Sequence, residues 1–300
     1  MRYLSFIFNI LIVALIVRLC SKNNSEFFFN PFVSYVNARI NRVLAFLKPI
    51  LALPEQASLI ILIIFIFLFK TMLLSRLDYN TGIKFGQYIT CRPSGNISEQ
   101  SAIMVFSFLS TMLFIFKLWS FYILVSLVAA PKRRGRAGDA LCFFTRPFSS
   151  LPMIFQPFVL LGVHAATAFL ASLVGFFSYT PEGTAKIVPL SLNASSFLVH
   201  SIKMVWMGML SLSDGLMMMV TVLFGCIIGS VIAALMKKRS VMTLCQEGVA
   251  LVLGRFYRGG ATGAGLDFTP IIFYFAVSIG YKMISSFVTG LISMPIQLPF

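Results

Sequence analysis

The stretch that decides the fold is GAGLDFTPIIFYFAVSIGYKMI, residues 263–284, where a single carboxylate, Asp267, precedes a long apolar run. This run begins at Thr269 and is long enough for a membrane span, which needs about 20 residues. Pro270 suits the first turn of a helix, and we expect Thr269 to cap the free N–H groups there. Asp267 adds negative charge near the positive end of the helix, which contributes about 0.3–1 kcal/mol. The stretch therefore predicts a transmembrane helix that starts beside an acid at the membrane surface.

The composition of the whole chain agrees with a membrane protein. Of its 300 residues, 58% are hydrophobic and only 11% are charged, and the mean hydropathy is +0.92. Soluble domains contain about 25% charged residues, so a water-exposed globule could not cover this much apolar surface. The five cysteines form no CxxC motif and no Cys/His cluster, and we interpret them as small apolar side chains within helices.

Six apolar runs are long enough to cross a bilayer. They cover residues 3–20, 56–74, 102–130, 155–178, 214–236 and 269–292. We interpret the first as an uncleaved span, because no small-x-small cleavage site follows it. The apolar residues 196–213 leave two alternatives, an interfacial helix or an extension of the fifth span.

The distribution of basic residues predicts an orientation. The segments after the first, third and fifth runs carry fifteen Lys and Arg residues, whereas the opposite faces carry seven. The positive-inside rule therefore predicts a protein of the plasma (bacterial inner) membrane with both termini outside. The net charge of +15 then serves orientation and contact with anionic lipid head groups, and we expect no nucleic-acid partner.

Two of the basic segments have the apolar periodicity of amphipathic helices. In residues 31–51 the apolar positions recur every three or four residues, at Phe32, Val36, Ile40, Val43, Leu47 and Leu51. Residues 241–256 repeat this design, with Val241, Cys245, Val249, Val252 and Phe256 on one face. We expect surface helices on the inner leaflet; the alternative is a hairpin packed on the protein itself.

These features predict an all-α membrane protein with about six transmembrane helices in three span–amphipathic helix–span units. The divisions are residues 1–76, first unit; 77–100, polar outer loop; 101–179, degraded middle unit; 180–213, outer loop that includes the interfacial helix in one of the two alternatives for 196–213; and 214–300, last unit. Glu55 and Asp267 occupy equivalent positions, and each is followed fifteen residues later by a lysine, Lys70 or Lys282. We expect both lysines to extend toward the outer head groups.

Short motifs in the first and last units resemble the YggT family, also called YlmG, whose members are small integral membrane proteins built from two such units. The matching residues are Asn30, Pro31 and Phe32, then Glu55, Ala57, Ser58 and Leu59, and finally Asp267, Phe268, Thr269 and Pro270. The resemblance covers about residues 18–74 and 237–292. Of the proline-rich, arginine-paired stretch usual in the family, Lys48-Pro49 and Pro54 remain in the first unit and Arg258 in the last.

The resemblance implies a scaffold or assembly factor rather than an enzyme. Bacterial members of the family are linked to envelope physiology, osmotic tolerance and cell division, and photosynthetic members to haem attachment on a b-type cytochrome and to nucleoid or plastid division. It implies a membrane protein partner, which the motif residues would contact. It implies no catalytic chemistry, and we expect no cofactor and no bound metal.

The alternative function is a small multi-span transporter or channel. Lys117 lies within the third run, where a charge at the centre of the bilayer costs about 2.5–3.5 kcal/mol. It is either a transport site or a side chain that reaches the interface from a tilted helix. His164 lies within the fourth run and could bind haem iron or relay protons, although a hydrogen-bonded structural role is favoured. A membrane enzyme is disfavoured because no catalytic pair stands out.

Overall fold

The computed structural model describes residues 2–20, 31–51, 53–76, 82–93, 99–128, 135–146, 148–180, 187–190, 197–256 and 268–294. The predicted all-α membrane fold is confirmed, because helices account for most of this part of the chain. Its helices are α1 (Arg2–Cys20), α2 (Pro31–Leu51), α3 (Glu55–Arg76), α4 (Glu99–Val128), α5 (Gly135–Phe144), α6 (Gln156–Val174), α7 (Phe197–Leu235), α8 (Arg239–Leu253) and α9 (Thr269–Ser293).

Five of these helices, α3, α4, α6, α7 and α9, are long and apolar enough to cross a membrane. The remaining predicted span, residues 3–20, is α1, whose apolar part, Ser5–Leu19, is shorter than a full span. Large apolar side chains on the outer surface of the bundle remain exposed, among them Phe65, Phe158 and Phe287. Lipid is the solvent that suits such a surface, so the protein is embedded in a membrane.

Helix α7 is far longer than a membrane span. It runs without a break through 39 residues, about 58 Å at 1.5 Å per residue, whereas a bilayer core is about 30 Å thick. The sequence allows residues 196–213 to be either an interfacial helix or an extension of the fifth span, and in the structure residues 197–213 form the extension. The helix therefore crosses the boundary predicted at residue 213. Helix α4, with 30 residues, also exceeds the bilayer.

A small antiparallel sheet, which was not predicted from the sequence, joins the polar outer loop at 77–100 to the connection between α6 and α7. Residues 175–178, predicted to belong to the fourth span, lie in a strand of this sheet, because Gly175 ends the helix in an extended conformation and the residues after it pair across the sheet. Its strands are β1 (Ile83–Phe85), β2 (Ile89–Pro93), β3 (Gly175–Tyr179) and β4 (Val188–Leu190), paired in the order β1-β2-β3-β4. The hairpin β1–β2 lies between α3 and α4, and the hairpin β3–β4 lies between α6 and α7. The register pairs Cys91 with Phe177. Both loops consequently lie at one end of the helix bundle, called here the sheet end.

The sheet is packed among the helices instead of lying on top of them. Phe85 and Ile89 are fully buried, and they belong to the same apolar cluster as Phe106 of α4, Leu210 of α7 and Ile292 of α9. This burial explains why such short strands are stable, because an isolated two-stranded hairpin is marginal in water. The parts of α4 around Phe106 and of α7 around Leu210 supply the apolar side chains that pack against the sheet.

Helices α2, α5 and α8 gather at the opposite end, called here the basic end. Val13 and Val17 of α1 pack against Ala140 and Phe143 of α5. The Ala137 N–H of α5 donates to Oε2 of Glu247 in α8, at 3.3 Å. The two segments predicted to be amphipathic helices form α2 and α8 at this end.

The two amphipathic helices bury only part of the apolar faces predicted for them. In α2, Ile40 of the predicted face is half-buried against the cluster that contains Leu15 and Leu59, whereas Val43 of the same face is exposed. Val252 of α8 is buried, whereas Val241 of α8 and Phe256, just after the helix, are exposed although both were predicted to lie on the same face. The exposed apolar side chains suit contact with lipid at the membrane surface.

Candidate functional site

A charged pair joins the centres of the two longest helices. The Lys117 ammonium of α4 lies 2.5 Å from Oδ2 of Asp214 in α7, and the two side chains are 22% and 13% exposed. Lys117 was predicted from the sequence as a candidate site residue, whereas Asp214 was not. The signal was present, because Asp214 is the only acid in α7 and Lys117 is the only basic residue in α4. Opposite charges within two long apolar helices are expected to pair, since each alone is costly to bury.

Three more groups complete this polar cluster. The Tyr281 hydroxyl of α9 donates to Asp214 Oδ1 at 2.8 Å, and the Gly86 N–H donates to Asp214 Oδ2 at 3.3 Å. The Lys117 ammonium also donates to the Lys84 carbonyl oxygen of β1, at 3.3 Å. One carboxylate and one ammonium therefore connect three helices to the β1–β2 hairpin.

The turn of this hairpin requires glycine at residue 86. Gly86 has φ = +65°, and a Cβ atom there would lie 2.5 Å from Cγ of Leu210. The positive φ and the close approach both exclude an ordinary side chain, and together they bring the Gly86 N–H to Asp214. The turn thus holds the sheet in contact with the charged pair.

His164 lies beside the charged pair and bridges the same two helices. Its Nε2 is 3.0 Å from the Ser120 hydroxyl of α4, and its Nδ1 is 3.0 Å from the Ser211 hydroxyl of α7. Ser120 follows Lys117 by three residues and Ser211 precedes Asp214 by three, so each serine shares a helix face with a member of the pair. This arrangement agrees with the hydrogen-bonded structural role favoured for His164. In the part of the chain that the structure describes, no three His, Cys, Asp or Glu side chains form a metal site.

A second polar cluster corrects the prediction for Lys70. Lys70 is fully buried in α3, and its ammonium donates to Asn9 Oδ1 of α1 and to Thr111 Oγ1 of α4, both at 2.8 Å. The prediction that Lys70 extends to the head groups is therefore wrong, because two polar side chains on neighbouring helices satisfy its charge inside the bundle. Lys282, which the repeat makes equivalent to Lys70, is exposed on α9.

The first family-like motif forms a contact within the chain. Glu55, at the start of α3, pairs with Arg18 of α1, with Oε1 and Nη2 2.6 Å apart. Arg18 is buried and Glu55 is exposed. Ala57 is half-buried, and Ser58 and Leu59 are buried beside α1 and α2. The motif thus anchors the hairpin of α1 and α3 at the basic end.

The structure places the other motif residues only in part. Pro31 and Phe32 open α2, and Asn30, Arg258 and Asp267 lie outside the described residues. Pro270 lies in the first turn of α9, as predicted. Thr269 is not the predicted cap, because the helix begins at Thr269 itself and Phe268 occupies the capping position without a side-chain hydrogen bond. Phe268 is exposed.

Comparisons of the chain with known protein families, with characterised proteins and with solved structures found no match. The site is therefore interpreted from its own geometry. The paired and hydrogen-bonded polar groups link helices to one another and to the sheet, so they hold the elements of the bundle in place. At the basic end, α2, α5 and α8 present exposed charged side chains.

Proposed function

We propose that the protein is an integral membrane scaffold or assembly factor of the YggT type. The observation that carries this proposal is the basic end. Exposed basic side chains lie on its three helices, α2, α5 and α8, or at their ends: Arg39, Arg42, Arg136, Arg146, Lys237, Lys238 and Arg239. Such a surface attracts anionic lipid head groups and acidic segments of a partner protein.

The polar groups inside the bundle support the same proposal. Lys117 is paired with Asp214, Lys70 is hydrogen-bonded by Asn9 and Thr111, and His164 bridges two serines. Interactions between helices in the interior of a bundle fix the positions of its elements. We infer that the bundle is a rigid support for the basic end, which faces the cytoplasm of a bacterial cell in the orientation that the basic residues predict.

A small transporter or channel is the second candidate, and the Lys117–Asp214–Tyr281 cluster favours it. Ionisable groups inside membrane bundles often lie on the path of an ion or a substrate. In that case the ion pair would open and close during transport. A scaffold needs no such opening, so flux across a bilayer separates the two candidates.

The decisive experiment isolates the protein in mild detergent from its native membranes and identifies co-purifying membrane proteins by mass spectrometry. We expect one partner at a fixed ratio to the protein. Replacing Lys237, Lys238 and Arg239 together with glutamine should lower this ratio several-fold at unchanged membrane abundance. Replacing Lys282 with glutamine, away from the basic end, should not lower it.

A proteoliposome assay tests the alternative with the same protein. If solute or ion flux depends on Asp214 while the triple variant co-purifies the same proteins in the same ratio as the wild type, the scaffold proposal is wrong. A fixed partner ratio that falls in the triple variant, without flux, supports it.

A further inference from the structure

A cavity of about 470 Å³ opens beside the charged pair at the sheet end. It lies between α1, α4 and the first two strands. Three basic residues line it, Lys84, Arg92 and Lys117. Its polar lining also includes Asn9, Ser110 and Thr180, and no carboxylate is among the described residues that line it. This volume is within the usual range for small-molecule sites, about 300–1,000 Å³.

Arg92 carries the strongest indication of a ligand. Its Nε–H is buried, and it has no hydrogen-bond partner among the residues that the structure describes. Leaving a buried donor without an acceptor is unfavourable, and more so when the group is charged. Arginine presents a planar fork of N–H donors that matches the oxygens of a carboxylate or phosphate group. An oxyanion in the cavity would satisfy this donor.

The other polar groups of the lining also favour an anion. Lys117 is held in position by Asp214, whose charge it balances, so its ammonium is fixed at one side of the cavity. The Asn9 Oδ1 atom already accepts from Lys70 and from Thr111, which leaves the Asn9 NH₂ group as a donor. Donors and positive charge therefore dominate this cavity, which disfavours a cation.

We propose that this cavity binds a phosphate-type oxyanion, with the Arg92 guanidinium as its main contact and Lys84 and Lys117 as supporting charges. Two sources could supply this group. One is the phosphate of an anionic lipid head group, whose acyl part would follow Leu113 and Phe114 at the edge of the cavity. The other is a soluble phosphate-containing molecule. The site is separate from the basic end and does not depend on the scaffold proposal.

The test uses the full chain purified in maltoside detergent. Calorimetric titration with inorganic phosphate measures the soluble source. Native mass spectrometry after addition of phosphatidylglycerol measures the lipid source. In Arg92→Gln we expect the affinity for at least one probe to fall by about tenfold or more, the value of one charge-assisted hydrogen bond. Arg92→Lys should lose less, since it keeps the charge but not the fork.

The control is Lys282→Gln, which removes one charge from an exposed position outside the cavity. Monodispersity and helical circular dichroism show whether each variant folds. If Arg92→Gln does not fold, Lys84→Gln serves instead, because the Lys84 side chain is exposed at the cavity. Loss of phosphate affinity assigns a soluble ligand, and loss of phosphatidylglycerol adducts alone assigns a lipid. The proposal is overturned if neither probe binds, or if both bind the cavity variants and the control alike.

Discussion

Asp214 connects three other elements of the bundle. Its two oxygens accept from Tyr281 and the Gly86 N–H, and one of them pairs with Lys117. These contacts come from α9, from the β1–β2 turn and from α4. Because a buried charge must be paired, the carboxylate requires all three elements to be in place together. Removing the Asp214 carboxylate should therefore weaken the packing of α4, α9 and the β1–β2 turn.

The first prediction concerns the coupling of Asp214 and Lys117. Asp214→Asn should lower the free energy of unfolding by about 2 kcal/mol, less than for a fully buried pair because both side chains keep some exposure. In a Lys117→Gln background the same change should cost about 1 kcal/mol less, because the charge it would orphan is already gone. Unfolding in mixed micelles measures all four proteins. Strictly additive losses would contradict the ion pair.

The second prediction concerns Cys91 in β2. Burial raises the pKa of its thiol from 9.0 to about 12, so the folded protein favours the neutral form. The stability this contributes is complete below pH 9 and is lost as the pH rises toward 12. A variant with Cys91 as its single cysteine should therefore resist maleimide at pH 8 and react rapidly once unfolded in SDS. Fast labelling of the folded protein would mean that β2 is not buried.

At the scale of elements, neighbouring helices are joined by buried polar bridges and by close approaches at small residues. Lys70 joins α3 to α1 and α4, and His164 joins α6 to α4 and α7. Gly208 of α7 lies against the backbone of Ala165 in α6. In lipid, where apolar association between helices is weak, such contacts decide which helices pair.

The third prediction compares Lys70 with Lys282, which the repeat in the sequence makes equivalent. Lys70→Gln should destabilise the protein by about 2 kcal/mol, because the shorter side chain cannot reach both Asn9 and Thr111. Lys282→Gln, at an exposed position, should change stability by less than about 0.5 kcal/mol. Thermal unfolding in detergent measures both. Equal small effects would restore the prediction that both lysines extend to the head groups.

The fourth prediction concerns the contact between α6 and α7. A Cβ atom at Gly208 would lie 2.8 Å from the Ala165 backbone nitrogen, so Gly208→Ala must separate the helices and should cost about 1–3 kcal/mol. Gly162→Ala is the matched control on α6, because a Cβ there meets nothing within 4 Å. It should be neutral or stabilising by up to about 1 kcal/mol. Similar losses from both variants would indicate that α6 and α7 are not this close.

At the scale of the whole molecule, the two ends of the bundle differ in chemistry. The sheet end holds the four strands, the charged pair and the cavity lined by basic residues. The basic end holds α2, α5 and α8 with their exposed Lys and Arg side chains. Because β2 pairs with β3, the two loops that supply them must lie on the same side of the membrane. This requirement is independent of the distribution of basic residues, and it agrees with the topology they predict.

The fifth prediction tests topology by labelling intact cells with an impermeant thiol reagent in a cysteine-free background. Gln87→Cys and Pro189→Cys, both at exposed positions of the sheet, should react alike. Lys238→Cys, exposed at the basic end, should be protected. If only Lys238→Cys reacts, the orientation is reversed, but both sheet positions still lie on one side of the membrane, as the sheet requires. If the two sheet positions label differently, the sheet itself is wrong.

The spans and the amphipathic helices followed from the sequence because they depend on local properties. Apolar length is enough to define a span such as α9, and periodicity is enough to define α2. Pro270 in the first turn of α9 was predicted for the same reason, since its ring favours that position whatever surrounds it. The sequence by itself therefore determined the class of protein and the positions of nearly all its long helices.

Only the tertiary structure decided what each polar residue does. The equivalence of Lys70 and Lys282 in the sequence gave no sign that one is buried, because burial depends on Asn9 and Thr111 in other helices. Asp214 was overlooked because its partner is distant in the chain, and the strands were missed because three to five residues carry little periodicity. Inside a membrane, a charge is stable only where other elements bring it a partner, and that meeting exists only in the folded bundle.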